Sequence, residues 1–183
     1  MTLPNILTII RMLFPFIIIL VLNLNFNNYY EKLIILIIFI LLSFTDYLDG
    51  FLARKLKIES KFGKIFDPVS DKVLTCSTLM YIISYNSIVL LPSLLIITRE
   101  FIVSGNREYM LSTKGKSINV IFLSKLKTAF QFISITLFLS YEILINYINI
   151  LNIAIGCIWI STILTLYTGF KYSYNTYKSN KRK

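Results

Sequence analysis

Histidine is absent from the chain, and acidic residues number only nine against 19 lysines and arginines. Without an imidazole, Ser-His nucleophilic chemistry and zinc-hydrolase sites are excluded, and any general base must be a carboxylate, a lysine or a tyrosine. Only two cysteines occur, Cys76 and Cys157, each alone inside an apolar stretch with no CxxC or Cys/His spacing, so both read as packing residues. There is no internal repeat and no low-complexity linker, which argues against an array or a string of domains.

What the chain has in excess is apolar surface. Of its 183 residues, 56% are hydrophobic, and the mean hydropathy is +0.70. A soluble domain of this size cannot bury so much around one core, so lipid must serve as part of its solvent. Six stretches approach the length that a membrane crossing needs, at about 5–24, 32–53, 69–86, 88–110, 124–145 and 149–170. They are continuous Ile/Leu/Phe runs rather than alternating strands, which predicts an all-α polytopic membrane protein with six transmembrane helices. The six use up almost the whole chain, so residues 1–183 are expected to form a single membrane domain. Pro4 stands where a helix can begin, Pro15 is placed to kink the first span, and Pro92 lies near the start of the fourth. The N-terminal run lacks a basic segment before it and a small-residue cleavage site after it, and reads as the first helix rather than a signal peptide.

Alternate threading collects most of the positive charge on one side. The connections 54–68 and 111–123 and the tail after Gly169 carry Arg54, Lys55, Lys57, Lys61, Lys64, Lys114, Lys116, Lys171, Lys178, Lys181, Arg182 and Lys183, whereas only Lys32 falls on the opposite side. The positive-inside rule then puts both termini in the cytoplasm, with the protein in the cell's inner (cytoplasmic) membrane. The net charge of +10 is accounted for by anionic headgroups, and no nucleic-acid partner is expected. Tyr29, Tyr30, Tyr85, Tyr141 and Tyr147 fit an aromatic belt on the outer side.

Four of the nine acids lie within positions 46–71. Asp46 and Asp49 are spaced i, i+3 at the end of the second apolar stretch, and Asp67 and Asp71 are spaced i, i+4 at the start of the third, so each pair shares a helix face. A short basic connection lets the two helices run antiparallel and the pairs face each other. Four carboxylates in a partly dry site repel strongly unless a cation joins them. Oxygen-only ligation favours Mg²⁺, with Mn²⁺ next and Ca²⁺ also compatible. Gly50, Ala53 and Gly63 lie beside the carboxylates, where small side chains let a ligand approach the backbone, and Arg54 adds a planar cation suited to phosphate oxygens.

These residues resemble a known signature. Asp46-Tyr-Leu-Asp49-Gly50-Phe-Leu-Ala53-Arg54, eight further residues, and Gly63-Lys-Ile-Phe-Asp67-Pro-Val-Ser-Asp71 match DxxDGxxAR-(8)-GxxxDxxxD at all eight fixed positions over 26 residues. That is the pattern of the CDP-alcohol phosphatidyltransferases. The opening Leu3-Pro4-Asn5-Ile6-Leu7-Thr8-Ile9-Ile10-Arg11, the segment Thr98-Arg99-Glu100-Phe101 with Ser104-Gly105-Asn106-Arg107-Glu108, and Ser124-Lys125-Leu126-Lys127-Thr128 resemble the bacterial phosphatidylglycerophosphate synthase branch of that family. Asn106 departs from it, standing where an apolar residue is expected.

The resemblance implies transfer of a phosphatidyl group from CDP-diacylglycerol to a small alcohol, with release of CMP. By motif position, Asp46, Asp49, Asp67 and Asp71 are the metal ligands, and Asp71 is also the base. Asn5, Thr8, Gly50, Ala53, Arg54 and Gly63 border the CDP-lipid. The branch resemblance makes glycerol 3-phosphate the acceptor, and a dianion needs cations, for which Arg99, Arg107 and Lys127 are the candidates. These three could instead reach headgroups or pair with Glu100 and Glu108. Phosphatidylglycerol, inositol phosphate and serine stand as alternative acceptors, and a homodimer is implied by the family. From another class, a divalent-cation transporter would also place carboxylates in helices, but it would hold them at the midplane between inverted repeats.

Overall fold

The computed structural model describes residues 3–24, 26–56, 61–114, 122–141, 143–144 and 148–180, with side chains described except at 46–56 and at 3, 4, 61, 62, 64, 114, 122, 148, 179 and 180. Among the described residues all regular structure is helical. The helices are α1 (Leu3–Met12), α2 (Phe14–Asn23), α3 (Asn28–Leu56), α4 (Lys61–Tyr85), α5 (Leu90–Lys114), α6 (Phe122–Tyr141) and α7 (Ile148–Asn180), with a 3-10 turn at Ser87–Val89 before α5.

The first apolar stretch is two helices rather than one. Pro15 has no backbone N–H, and its ring clashes with the carbonyl four residues back, that of Arg11. The chain breaks at Leu13, whose N–H reaches the carbonyls of both Ile9 and Ile10 at 3.0 and 3.1 Å. The two halves meet at a 47° bend. Elsewhere the helices run further than the apolar stretches. α4 begins at Lys61, eight residues before position 69, and passes through Pro68; α7 continues to Asn180 through the basic tail. Hydropathy marks where lipid is tolerated, whereas the helical backbone continues through the polar turns beyond.

Three helices are long and apolar enough to cross a membrane among the described residues, over Asn28–Thr45, Ser87–Thr113 and Asn149–Lys178, and the bent pair α1/α2 makes a fourth if it counts as one span. α4 and α6 fall short of that measure. α4 carries Asp67, Asp71 and Lys72, and α6 carries Lys125, Lys127 and Gln131. Asp67, Asp71 and Lys127 among them are candidate site residues.

The chain forms two compact units, one of residues 1–85 with 138–147, the other of 86–137 with 148–183. In the first, α1 and α2 pack on α3 and α4 around Phe14, Ile18, Ile35, Phe39, Leu74 and Ile82, all buried. At the far end of α3 and α4 from the aspartates, the Tyr81 hydroxyl donates to Glu31 Oε1 at 2.6 Å. The Lys32 ammonium lies 4.2 Å from the centre of the Tyr85 ring, so this tyrosine is tied to α3, whereas Tyr29 and Tyr30 are exposed.

In the second unit α7 packs on α5 and is polar on its buried side. Ser161, Thr162, Thr165, Thr168, Tyr172 and Thr176 are buried, while Ile160, Ile163, Leu166, Tyr167 and Phe170 are exposed. This is the arrangement of a helix whose outer surroundings are lipid, with small and hydroxyl side chains at helix contacts. The hydroxyls find partners locally or across the contact. Thr162 donates to the Ile158 carbonyl at 2.7 Å, and Ser161 to the Lys127 carbonyl of α6 at 3.0 Å. Ser134 of α6 donates to the Ala154 carbonyl of α7 at 3.0 Å.

Candidate active site

α1 presents two faces of opposite character. Ile6, Ile10 and Leu13 are exposed, whereas Thr8 and Arg11, spaced i, i+3, are buried against α4. Opposite them on α4 are Asp67 and Asp71, one helical turn apart. Thr8 Oγ1 donates to Asp67 Oδ1 at 2.6 Å, and Arg11 Nη1 donates to Asp71 Oδ1 at 2.8 Å. Both residue numbers rise together, so α1 and α4 run in the same direction and the two contacts fix their register. Asn5 lies one further turn back on the same side of α1 and is half-buried, and Gly63 is buried near the start of α4.

Asp46 and Asp49 are both on α3, as expected, but their side chains lie outside the described residues, as do those of Gly50, Ala53 and Arg54. The convergence of all four carboxylates is therefore an expectation about α3, and its α4 half is what the structure describes. Among the described residues no three acidic, histidine or cysteine side chains group closely enough to share an ion. The donors present are carboxylate and hydroxyl oxygens without nitrogen or sulfur, which is chemistry that fits a hard divalent cation.

Arg11, the last residue of the opening segment Leu3–Arg11, has no role implied by the signature, and its contact with Asp71 makes it a functional candidate. A charged side chain within an apolar run is costly and marks a site by default. Its guanidinium is 1% exposed and its carboxylate partner 48% exposed. The cation therefore holds its partner from the protein side, and the carboxylate is accessible on another.

In the second unit Arg99, Arg107 and Lys127 come together on α5 and α6. Arg99 Nη1 donates to Glu100 Oε1 at 3.1 Å, and the Lys127 ammonium is bound to the same oxygen. Arg99 Nη2 donates to Thr168 Oγ1 of α7 at 2.8 Å. Pairing with Glu100, the alternative open at the sequence level, is thus realised for two of the three cations. The Arg107 guanidinium lies over the Tyr172 ring, 5.5 Å from its centre. Asn106, the departure from the branch pattern, donates from Nδ2 to Ser173 Oγ at 2.9 Å, so its amide is satisfied across α5 and α7.

The chain is similar to known proteins over most of its length. A family model described as CDP-alcohol phosphatidyltransferase matches residues 1–167. A protein of Rickettsia typhi is 40% identical over 173 residues, covering 93% of this chain and 94% of its own length. One from Wigglesworthia glossinidia brevipalpis is 38% identical over 179 residues, covering 95% and 94%. One from Bacillus subtilis is 32% identical over 136 residues, covering 74% and 69%. Each is named CDP-diacylglycerol–glycerol-3-phosphate 3-phosphatidyltransferase.

Proposed function

This chain belongs to the CDP-alcohol phosphatidyltransferase family, and on that premise we propose that it transfers the phosphatidyl group of CDP-diacylglycerol to sn-glycerol 3-phosphate, giving phosphatidylglycerophosphate and CMP. The observation that carries this reading is similarity over almost the whole chain to relatives bearing that name. The placement of the second half of the signature, Asp67 and Asp71, against the polar face of α1 supports it.

The proposal extends to architecture. The chain would act as one catalytic domain in the cytoplasmic membrane, crossing it six times, with both termini and the carboxylates on the cytoplasmic side, and as a homodimer. α4 and α6 would cross as well, their polar first turns on the cytoplasmic side.

In the mechanism, Asp46, Asp49, Asp67 and Asp71 would hold Mg²⁺ or Mn²⁺. When bound, such an ion neutralises pyrophosphate oxygens and so eases departure of CMP. Asp71 takes the proton of the acceptor hydroxyl as that oxygen attacks the phosphorus of the phosphatidyl group. The bond from that phosphorus to the CMP oxygen breaks on the opposite side. Arg11 fixes the direction in which Asp71 points, and Thr8 does the same for Asp67. Asn5, Thr8, Gly50, Ala53, Arg54 and Gly63 border the CDP-lipid, and Arg99, Arg107 and Lys127 bind the acceptor's phosphate.

Acceptor competition tests the proposal. Purified protein in detergent is given CDP-diacylglycerol and Mg²⁺ with glycerol 3-phosphate, phosphatidylglycerol, inositol phosphate and serine together, and the lipid product is identified. Phosphatidylglycerophosphate as the main product is expected; a different lipid would reassign the acceptor, and cation flux into proteoliposomes of the same protein, with no CMP release, would favour a transporter.

A further inference from the structure

The cation cluster of the second unit is shaped by α7, which no motif of the sequence singles out. Arg99 and Arg107 are eight residues apart on α5, about 12 Å along the axis. Yet both guanidinium carbons lie over one ring, that of Tyr172, at 5.9 and 5.5 Å from its centre. The two guanidinium groups thus share one aromatic neighbour and lie within electrostatic reach of each other. Bringing two positive charges together is unfavourable, and an aromatic face beneath them offsets part of the repulsion. Tyr172 is fully buried, and its hydroxyl lies 3.4 Å from Ser124 Oγ of α6, one turn before Lys127.

One turn back on α7, Gly169 faces the stem of Arg99. A Cβ placed there would stand 2.7 Å from Arg99 Cγ and 2.9 Å from its Nε, closer than such atoms approach. Any side chain at 169 would displace the arginine. Thr168, adjacent, receives Arg99 Nη2. Thr168, Gly169 and Tyr172 thus all act on the arginines from one side of α7. Meanwhile the Nε atoms of Arg99 and Arg107 are buried with no hydrogen-bond partner among the described residues. Buried guanidinium donors of this kind call for an acceptor.

We infer that α7 supplies the positioning residues of the acceptor pocket: Gly169 opens the slot that sets the Arg99 stem, and the Tyr172 ring is the floor that keeps the Arg99 and Arg107 guanidinium groups convergent on one phosphomonoester dianion. This rests on the proposed role of Arg99, Arg107 and Lys127 in acceptor binding. Two guanidinium groups and an ammonium suit a phosphomonoester dianion better than a singly charged phosphodiester or a zwitterion.

Steady-state kinetics of the full-length protein in detergent test this, with KM measured separately for glycerol 3-phosphate and CDP-diacylglycerol. Gly169→Ala and Tyr172→Leu are expected to raise the KM for glycerol 3-phosphate roughly tenfold, leaving that for CDP-diacylglycerol within about twofold. Tyr172→Phe, which keeps the ring, should stay within about threefold of the unmodified protein for both. If Tyr172→Leu does not fold, Gly169→Ala and Tyr172→Phe decide the matter. Unchanged acceptor KM in Gly169→Ala, an equal rise in both KM values, or a large rise in Tyr172→Phe would overturn the inference. Arg107→Ala separates the two levels. A raised acceptor KM there, with Gly169→Ala unaffected, sinks the role of α7 alone, whereas no change in Arg107→Ala removes the acceptor site and the inference with it.

Discussion

Arg11 reaches Asp71 across α1 and α4 at 2.8 Å, the guanidinium buried and the carboxylate half exposed. One oxygen of the proposed base is thus held by a fixed cation on a short helix that contributes nothing to the signature itself. A carboxylate oriented in this way loses little motion when the acceptor arrives, which is how a residue outside the reacting atoms contributes to rate.

Replacing Arg11 with Met should therefore lower turnover by roughly 10- to 100-fold, the equivalent of about 1.5–3 kcal/mol for a hydrogen bond to a charged group. Arg11→Lys keeps the charge without the planar fork and should recover part of the loss. CMP release at saturating substrates measures both, and a Met variant turning over at the original rate would remove Arg11 from the site.

Asp71→Asn is nearly isosteric and keeps an oxygen for Arg11 to bond, but it cannot take up a proton at neutral pH. Turnover should fall by at least roughly 100-fold while CDP-diacylglycerol binding, followed by calorimetry, changes far less. Equal loss of binding and turnover would make Asp71 a ligand only.

Thr8→Val removes the hydroxyl that holds Asp67 and preserves side-chain volume. Partners that orient metal ligands typically matter tenfold or more in affinity, so the Mg²⁺ concentration giving half-maximal activity should rise roughly tenfold. Titration of activity with Mg²⁺ after chelation checks this, and saturating Mg²⁺ should restore most of the rate. An unaltered Mg²⁺ requirement would show that Thr8 has no part in holding the ligand set.

The proposed topology places Asn27 outside and the residues after Asn180 in the cytoplasm. In a background with Cys76 and Cys157 replaced by alanine, a cysteine at Asn27 should react with a membrane-impermeant maleimide on intact cells. One at Arg182 should react only after permeabilisation. The reverse pattern would invert the orientation set by the lysines and arginines.

Much of this was legible from residue order. The i, i+4 spacing of Asp67 and Asp71 predicts a shared face, and they share one; Pro15 predicts a kink, and the chain breaks two residues before it. What could not be read was which parts of distant helices meet. Nothing in the spacing of α1 says that Arg11, rather than a headgroup-seeking cation, is buried against Asp71. Likewise the sharing of Glu100 by Arg99 and Lys127 depends on how α5 and α6 are rotated. The third apolar stretch begins near 69 whereas α4 begins at Lys61, because hydropathy falls away across Lys64, Asp67 and Pro68 although the backbone remains helical. The hydroxyl stripe of α7 was visible as serines and threonines recurring at helical spacing. Spacing alone does not tell which neighbouring helix those hydroxyls meet.

The interruption at Leu13 has a mechanical consequence. A continuous first helix would have to satisfy two masters at once, the carboxylates near its beginning and the thickness of the bilayer along its remainder. Divided as it is, the α2 half follows its own axis at 47° to the α1 half and packs Phe14, Ile18 and Val21 inward, while the α1 half keeps Thr8 and Arg11 in step with α4. The bend thus separates the register that the polar contacts fix from the tilt that a bilayer of given thickness asks of the remainder.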